Sequence, residues 1–548
     1  MLKSWLKNNY LVLIILALLV FGVYANSLSH EFLSDDISTI AQNKDLGTLK
    51  FIFARPFVFL RAFFYSVIYW IAGRNPIAFR LFNLFTHLGV CFVFYFLIST
   101  TISKKIGLFC SLIFAVHPIL VESIVWISGG YYPQYSLFLL LSLAFYAYSK
   151  QSKKMFVFSL FFYLLALFSS ERTVFFPLII LVWELSFGRI KKNWRKIIPF
   201  VFLSALWVIF FISGALKLRI DEMQTSFYQT KQKLNLISLS RTTLILIPTA
   251  LTSYFELILW PKNLTLYQSE IYFDKTELMI RSFVTLFYFG LIVYSFKRHK
   301  ALFFWLLFLF ISLLPFLTPL AISWIVAERY VYLGSISIIL AVALLLESIS
   351  KLLKDEKLIY LLLPMVMLPL IVRTLTRSLD WRNQDYLWLA AAKTSPSSPQ
   401  NHNNLGDLYA RKGMVDKAIE EFKTATRLQP NYGDAFHNLA NIYLQTGQID
   451  LAEANYQKAL SFNPNIWQSR LNLGSIYFDK GNYDQAVEEF KLAIKINPQE
   501  AGLHYSLGLA YANQNKMTEA ENEFRLALQI DPQNQKAQEA LSKITSPP

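Results

Sequence analysis

Long apolar runs separated by short polar segments fill residues 1–373, after which the pattern changes to a regular alternation with a period of 34 residues. A helix needs about 20 apolar residues to cross the hydrocarbon core of a bilayer. Runs at 9–25, 79–100, 106–125, 134–149, 155–170, 173–187, 197–215, 279–296, 301–320, 332–350 and 357–373 supply eleven candidates. The first follows Lys3 and Lys7 and lacks a small-x-small cleavage site, so it is expected to stay as an uncleaved anchor. Two more stretches, 57–72 and 243–260, each carry a charge, Arg61 and Glu256. They are expected to lie in the membrane interface or against the bundle.

Beyond residue 395 the pattern is carried by matched columns. Pro396, Pro430, Pro464, Pro498 and Pro532 stand 34 residues apart. Leu405, Leu439, Leu473 and Leu507 share the spacing, as do the small residues Gly406, Ala440, Gly474 and Gly508 and the aromatics Phe422, Tyr456, Phe490 and Phe524. This register resembles the tetratricopeptide repeat, a pair of helices in which small residues admit close approach and aromatics fill the wedge. Units are expected at 399–432, 433–466, 467–500 and 501–534, with a capping helix and tail over 535–548. Two positions before each small residue stand Asn404, Asn438, Asn472 and Ser506. Amides there could hold an extended peptide in the groove through a donor and an acceptor each, or could simply be common at that column. A solenoid of helix pairs offers an interaction surface rather than an enclosed pocket. The predicted fold is all-α: a polytopic membrane bundle over 1–378, a linker at 379–398, then the α-solenoid.

Composition agrees. The 548 residues are 55% hydrophobic and only 16% charged, against about 25% charged in soluble domains. The net charge of +16 divides unevenly. Residues 396–548 hold 14 Lys+Arg and 17 Asp+Glu, leaving 38 and 19 in 1–395. With the N-terminus in the cytoplasm, the inside loops become 1–8, 101–105, 150–154, 188–196, 297–300 and 351–357, every one short and basic. The long segments 26–78 and 216–278 and the repeats then lie outside. Basic residues placed this way address the membrane, which removes the nucleic-acid reading. Cys91 and Cys110 both fall in apolar runs and form neither a disulfide framework nor a metal-ligand cluster.

Candidate chemistry gathers on the outside. Asp35 and Asp36 follow the first span; adjacent carboxylates suit general-base work or a divalent ion, and could equally open a short helix. Arg80, Asn83 and His87 share one helix face, and His117, Glu122, Glu171, Arg172, Glu328 and Arg329 punctuate apolar runs on the same side. Charges beside spans are costly unless paired or bound to a phosphate.

The order of these segments resembles the multi-span glycosyltransferases of the GT-C fold class, and within it the transmembrane and tetratricopeptide-repeat O-mannosyltransferases and their bacterial relatives. The matching pieces are SDDISTIAQNKDL (34–46), RPFVFLRAFFYSVIYWIAGRNPIAFRLFNLFTH (55–87), HPILVESIVWISG (117–129), SSERTVFFPLIILVWEL (169–185), YFELILWPKNLTL (254–266), VAERYVYLGS (326–335) and RTLTRSLDWRNQDYLW (373–388). The resemblance implies a transferase that takes mannose or another hexose from a polyprenyl-phosphate donor to a protein hydroxyl. Asp35 or Asp36 would be catalytic base or metal ligand. Arg80, Arg172 and Arg329 would hold the donor phosphate, with His87, His117, Glu122, Glu171 and Glu328 in support. The sequence departs from the family pattern at Ser170, where a basic residue is usual, and at Gly130-Tyr131, where an Arg–Asp type pair often stands. The main rival reading is a non-enzymatic membrane scaffold whose repeats recruit proteins; a transporter would need an internal symmetry that the apolar half lacks.

Overall fold

A computed structural model describes residues 2–54, 59–149, 152–209, 236–266, 274–317, 326–354 and 357–545. All regular structure among them is helical. The chain divides into two compact units, Met1–Ser395 and Pro396–Pro548.

The first unit is built around the helix Pro76–Thr101, which packs on Leu2–Tyr24, Lys104–Val116 and Tyr131–Ala147. Its start is set by Asn75, whose side chain accepts from the Ile77 amide, with Pro76 in the first turn. Two of the basic loops are tight connections closed in the same way. Ser103 caps Lys104–Val116 and Ser152 caps Lys153–Ser169, each accepting an amide hydrogen bond of the first turn. Leu11, Ile14, Leu18, Phe283, Leu286, Phe287, Leu361, Met365 and Leu368 are exposed on helices Leu2–Tyr24, Lys275–Arg298 and Leu358–Asp380. Apolar faces of that extent are what lipid covers in a bundle of this kind.

Among the described residues, five helices are long and apolar enough to cross a membrane: Ser4–Ser27, Pro76–Thr101, Lys275–Arg298, Glu328–Leu352 and Tyr360–Asp380. The run 106–125, expected as one span, is bent by 53° between Lys104–Val116 and Pro118–Val125. Pro118 has no N–H to continue the helix, and the His117 side chain caps the new turn by accepting from the Ile119 amide. Other expected spans are shorter helices, among them Tyr131–Ala147, Lys153–Ser169, Phe176–Ser186 and Lys300–Leu313. The runs 197–215 and 301–320 pass beyond the described residues, as does much of the loop 216–278. The charged stretches 57–72 and 243–260 fall on helices Phe59–Ala72 and Leu236–Leu259. The segment expected as a linker, 379–398, contains the helix Gln384–Thr394. Its Leu387, Trp388 and Ala391 sit in the apolar core of the first unit, which is why it is ordered there.

The second unit is four helix pairs and a final helix: Pro399–Arg411 with Val415–Leu428, Gly433–Gln445 with Ile449–Phe462, Trp467–Asp479 with Tyr483–Ile496, Ala501–Asn513 with Met517–Ile530, and Gln535–Thr545. Turns within the pairs need left-handed backbone. Gly413, Gly447 and Gly481 supply it at φ +71°, +74° and +78°, and Asn515 at +61°.

Candidate functional site

The site begins at a turn. Ser34 adopts φ +49°, and the Asp36 amide donates to the Leu33 carbonyl at 2.9 Å. This conformation separates the two carboxylates. Asp35 is exposed and its side chain makes no hydrogen bond or ion pair among the described residues. Asp36 is fully buried. Its Oδ1 accepts from the Ser128 amide (2.8 Å) and hydroxyl (2.5 Å), and its Oδ2 from the Leu33 amide (3.3 Å). Burial lifts the Asp36 carboxyl to about 6, against the Ser128 hydrogen bonds and the Arg80 charge that pull it down. Asp36 does not cap the short helix Ile37–Ala41, whose N-terminus it precedes.

Helix Pro76–Thr101 brings the segments of the site together. Arg80 is buried and donates to three carbonyls, those of His30 and Glu31 and that of Val125 at 3.1 Å. Asn83 Nδ2 faces the carbonyls of Ile124, Trp126 and Ile127 at 3.2–3.4 Å. A Cβ at residue 130 would lie 1.9 Å from Asn83 Oδ1, so glycine is what allows the chain to pass there. These bonds fasten the loop 30–36 to the segment 124–130, which is how Asp36 meets Ser128. Arg80 therefore acts on the backbone, and its guanidinium is not placed as a phosphate ligand.

Beside this seam lie two further arginines. Arg61 donates to the Ser128 carbonyl at 3.4 Å and stands 5.2 Å from the Tyr131 ring centroid. Arg172 stands at the same 5.2 Å from Tyr131, donates to its hydroxyl at 2.5 Å, and is flanked by Tyr132 (5.1 Å) and Phe316 (5.0 Å). Neither makes an ion pair among the described residues. Glu171 is half-buried in the same turn as Arg172. Arg329, by contrast, is paired with buried Glu122, which also accepts from the Arg329 amide at 3.0 Å. Glu328 pairs with Arg377 (2.9 Å), and Arg377 with Asp380 (2.9 Å). The neighbours Glu328 and Arg329 thus pair apart, because successive residues in a helical turn do not face each other.

Two predicted supporting residues serve packing. His87 Nδ1 bonds to the Tyr332 hydroxyl at 2.6 Å within the core, and His117 Nε2 to the Ile258 carbonyl at 3.0 Å. A divalent ion does not fit the Asp35–Asp36 pair as placed. Both Asp36 oxygens already accept hydrogen bonds, and among the described residues no group of three or more His, Cys, Asp or Glu side chains converges. In the repeats, Asn438 Nδ2 donates to Asn403 at 3.0 Å, and Asn472 Nδ2 to Asn441 (3.1 Å) and the Tyr456 hydroxyl (2.9 Å). These amides join consecutive units to each other; Asn404 is half-buried at the equivalent position.

Sequence reasoning missed Arg61, Ser128, Tyr131 and Arg377 as parts of this site. The available signal for Arg61 was its persistence inside an apolar helix, where a charge calls for a partner.

Residues 406–447 and 474–515 match the TPR repeat family, and 433–466, 455–488 and 501–534 match further tetratricopeptide repeat families. The crystal structure of MamA is 25% identical, covering 27% of this chain and 88% of that one with a TM-score of 0.25. Protein O-mannosyl-transferase TMTC3 of Homo sapiens is 25% identical over 472 residues, 75% of this chain and 51% of the relative. TMTC3 of Mus musculus is 24% identical over 77% of this chain and 52% of its own length. Protein O-mannosyl-transferase Tmtc2 of Drosophila melanogaster is 29% identical over 21% of this chain and 12% of its own. The chain spans about half the length of the TMTC3 relatives it matches. A shared 75% of this chain is more than Pro396–Pro548 alone could supply, so the likeness extends into the first unit. The chain is a membrane protein with tetratricopeptide repeats, and over most of its length it is similar to the protein O-mannosyl-transferases named TMTC3.

Proposed function

We propose that the protein is a GT-C-type membrane glycosyltransferase. It moves mannose or another hexose from a polyprenyl-phosphate donor to a serine or threonine hydroxyl of a protein acceptor on the extracytoplasmic face, and the repeats recruit that acceptor. The observation that carries this reading is the pairing of Arg61 and Arg172 around Tyr131, beside the loop that exposes Asp35. Two guanidiniums that form no ion pair among the described residues suit an anion, and a guanidinium fork matches phosphate geometry. The ring of Tyr131, half-buried beside Arg172, offers a flat surface to a sugar or an isoprenoid, and the buried rings of Tyr132 and Phe316 back the guanidinium.

The reaction asks three things of these residues. The Asp35 carboxylate takes the proton of the acceptor hydroxyl, and the oxygen attacks the anomeric carbon. The bond from that carbon to the phosphate oxygen breaks, and the lipid phosphate leaves with the electron pair. Arg61 and Arg172 stabilise the charge that develops on it. Asp36 holds the loop through Ser128 and Leu33 and takes no part in proton transfer. Asp35→Asn, at an exposed position, is expected to lower sugar transfer from polyprenyl-phosphate mannose in membranes by about 100-fold or more. Arg172→Gln is expected to weaken donor use while leaving binding of the acceptor to the repeats intact. Transfer that survives Asp35→Asn at full rate would remove the base from this scheme; no transfer by the wild-type chain with any polyprenyl-phosphate hexose would favour the scaffold.

A further inference from the structure

The helix Tyr131–Ala147 carries Tyr131 at one end; at its other end, about 25 Å away by helical rise, lies an apolar groove. Trp5, Phe92, Phe96, Phe145, Tyr148 and Met155 line a cavity of about 260 Å³ there, contributed by four helices and the turn after Tyr131–Ala147. No charged side chain lines it. The Trp5 indole N–H is turned away to the Ser99 hydroxyl at 3.2 Å, so the wall presents carbon. The volume exceeds that of an apolar cavity of about 150 Å³ that takes up benzene. A space of this kind beside a bilayer loses contact energy unless carbon fills it.

Lysines adjoin the lining of this groove in sequence. Lys7 follows the lining residue Leu6, and Lys153 and Lys154 immediately precede Met155. All three are exposed and make no ion pair among the described residues. Lys196 Nζ reaches the Ser149 hydroxyl at 3.3 Å, next to Tyr148. We infer that this groove holds an acyl chain of an anionic phospholipid, whose phosphate sits over Lys7, Lys153 and Lys154. The ligand is distinct from the proposed sugar donor, whose phosphate belongs with Arg61 and Arg172 at the other end of the helix. This inference therefore stands whether or not the chain transfers sugar.

Native mass spectrometry of the full-length detergent-solubilised protein tests it, with phosphatidylglycerol and phosphatidylcholine of identical chains as probes. The wild type is expected to retain one phosphatidylglycerol at a concentration at least about tenfold lower than phosphatidylcholine, since lysines near a headgroup favour a net negative one. Val93→Trp, at a half-exposed position of the wall, is expected to lose that lipid. Lys153→Gln with Lys154→Gln leaves the packing alone and is expected to bring the two lipids to similar retention. Equal retention of both lipids by the wild type, or undiminished retention of phosphatidylglycerol by both variants, overturns the assignment. If Val93→Trp fails to yield folded protein, the lysine variant decides.

Discussion

Asp35 and Asp36 are neighbours in sequence and opposites in surroundings, and the difference has a measurable consequence. The buried Asp36 carboxyl is lifted from its ordinary value of 3.8 to about 6. A carboxyl whose folded pKa exceeds its unfolded value binds its proton more readily when folded. It therefore weakens the fold as pH rises from about 4 to about 6, by a total on the order of 3 kcal/mol, and adds nothing further above. Asp36→Asn removes this slope. Melting temperatures measured from pH 4 to pH 7 are expected to fall more for the wild type than for the variant, and parallel curves would show that the carboxyl does not titrate there. The sequence revealed the acidic pair and left open which member turns inward. That choice depends on the left-handed backbone at Ser34 and on Ser128, a residue far along the chain. The arginines sort in the same manner. Arg80, Arg172 and Arg329 look alike beside apolar runs, yet one binds carbonyls, one stacks on rings and one is neutralised by Glu122.

Helices and repeats were more legible than side-chain roles, because they rest on periodicity. The small-residue column reports a close approach that the structure makes concrete. A Cβ added at Gly474 would lie 2.7 Å from the Phe490 ring, and one at Gly406 would lie 2.7 Å from Phe422. The second repeat, 433–466, has Ala440 and Tyr456 at these positions instead, and the Tyr456 hydroxyl donates to Asn441 at 2.6 Å. Gly474→Ala is expected to destabilise its unit by about 1–3 kcal/mol through overpacking. Faster hydrogen exchange confined to Trp467–Asp479 and Tyr483–Ile496 would register this, and unchanged exchange would mean that Phe490 shifts freely. A second column escaped notice because its residue types change. His402 pairs with Glu421 (2.6 Å), Arg470 with Glu489 (2.8 Å) and His504 with Glu523 (2.7 Å), while Phe436 and Asn455 occupy the same places in the second repeat. Each of those three basic side chains also donates to the carbonyl of its repeat proline. The bend at Pro118 was hidden for the opposite reason: apolar residues dominate both sides of His117-Pro118, and hydropathy does not register a missing amide.

At the scale of the whole molecule, the feature that organises everything else is where charge is placed along the chain. The short loops of the first unit are basic, the repeats carry more acid than base, and the candidate site joins the long segment 26–78 to residues between other apolar runs, Ser128, Tyr131 and Arg172. Lys and Arg near span ends are held on the cytoplasmic side. The proposed orientation follows: basic loops inside, Asp35 and the repeats outside. Cysteine labelling suits this test, because the native Cys91 and Cys110 are both buried and give little background. Lys153 lies in a basic loop and Asp479 on a repeat helix, and both are exposed. With a membrane-impermeant maleimide, Asp479→Cys is expected to label in intact cells or in sealed vesicles with the extracytoplasmic face outward. Lys153→Cys is expected to label only after the membrane is opened. The reverse pattern would place the repeats in the cytoplasm together with Asp35 and Arg172, on the side from which an exported acceptor is absent. It would remove the acceptor from the proposed reaction while leaving the fold unchanged.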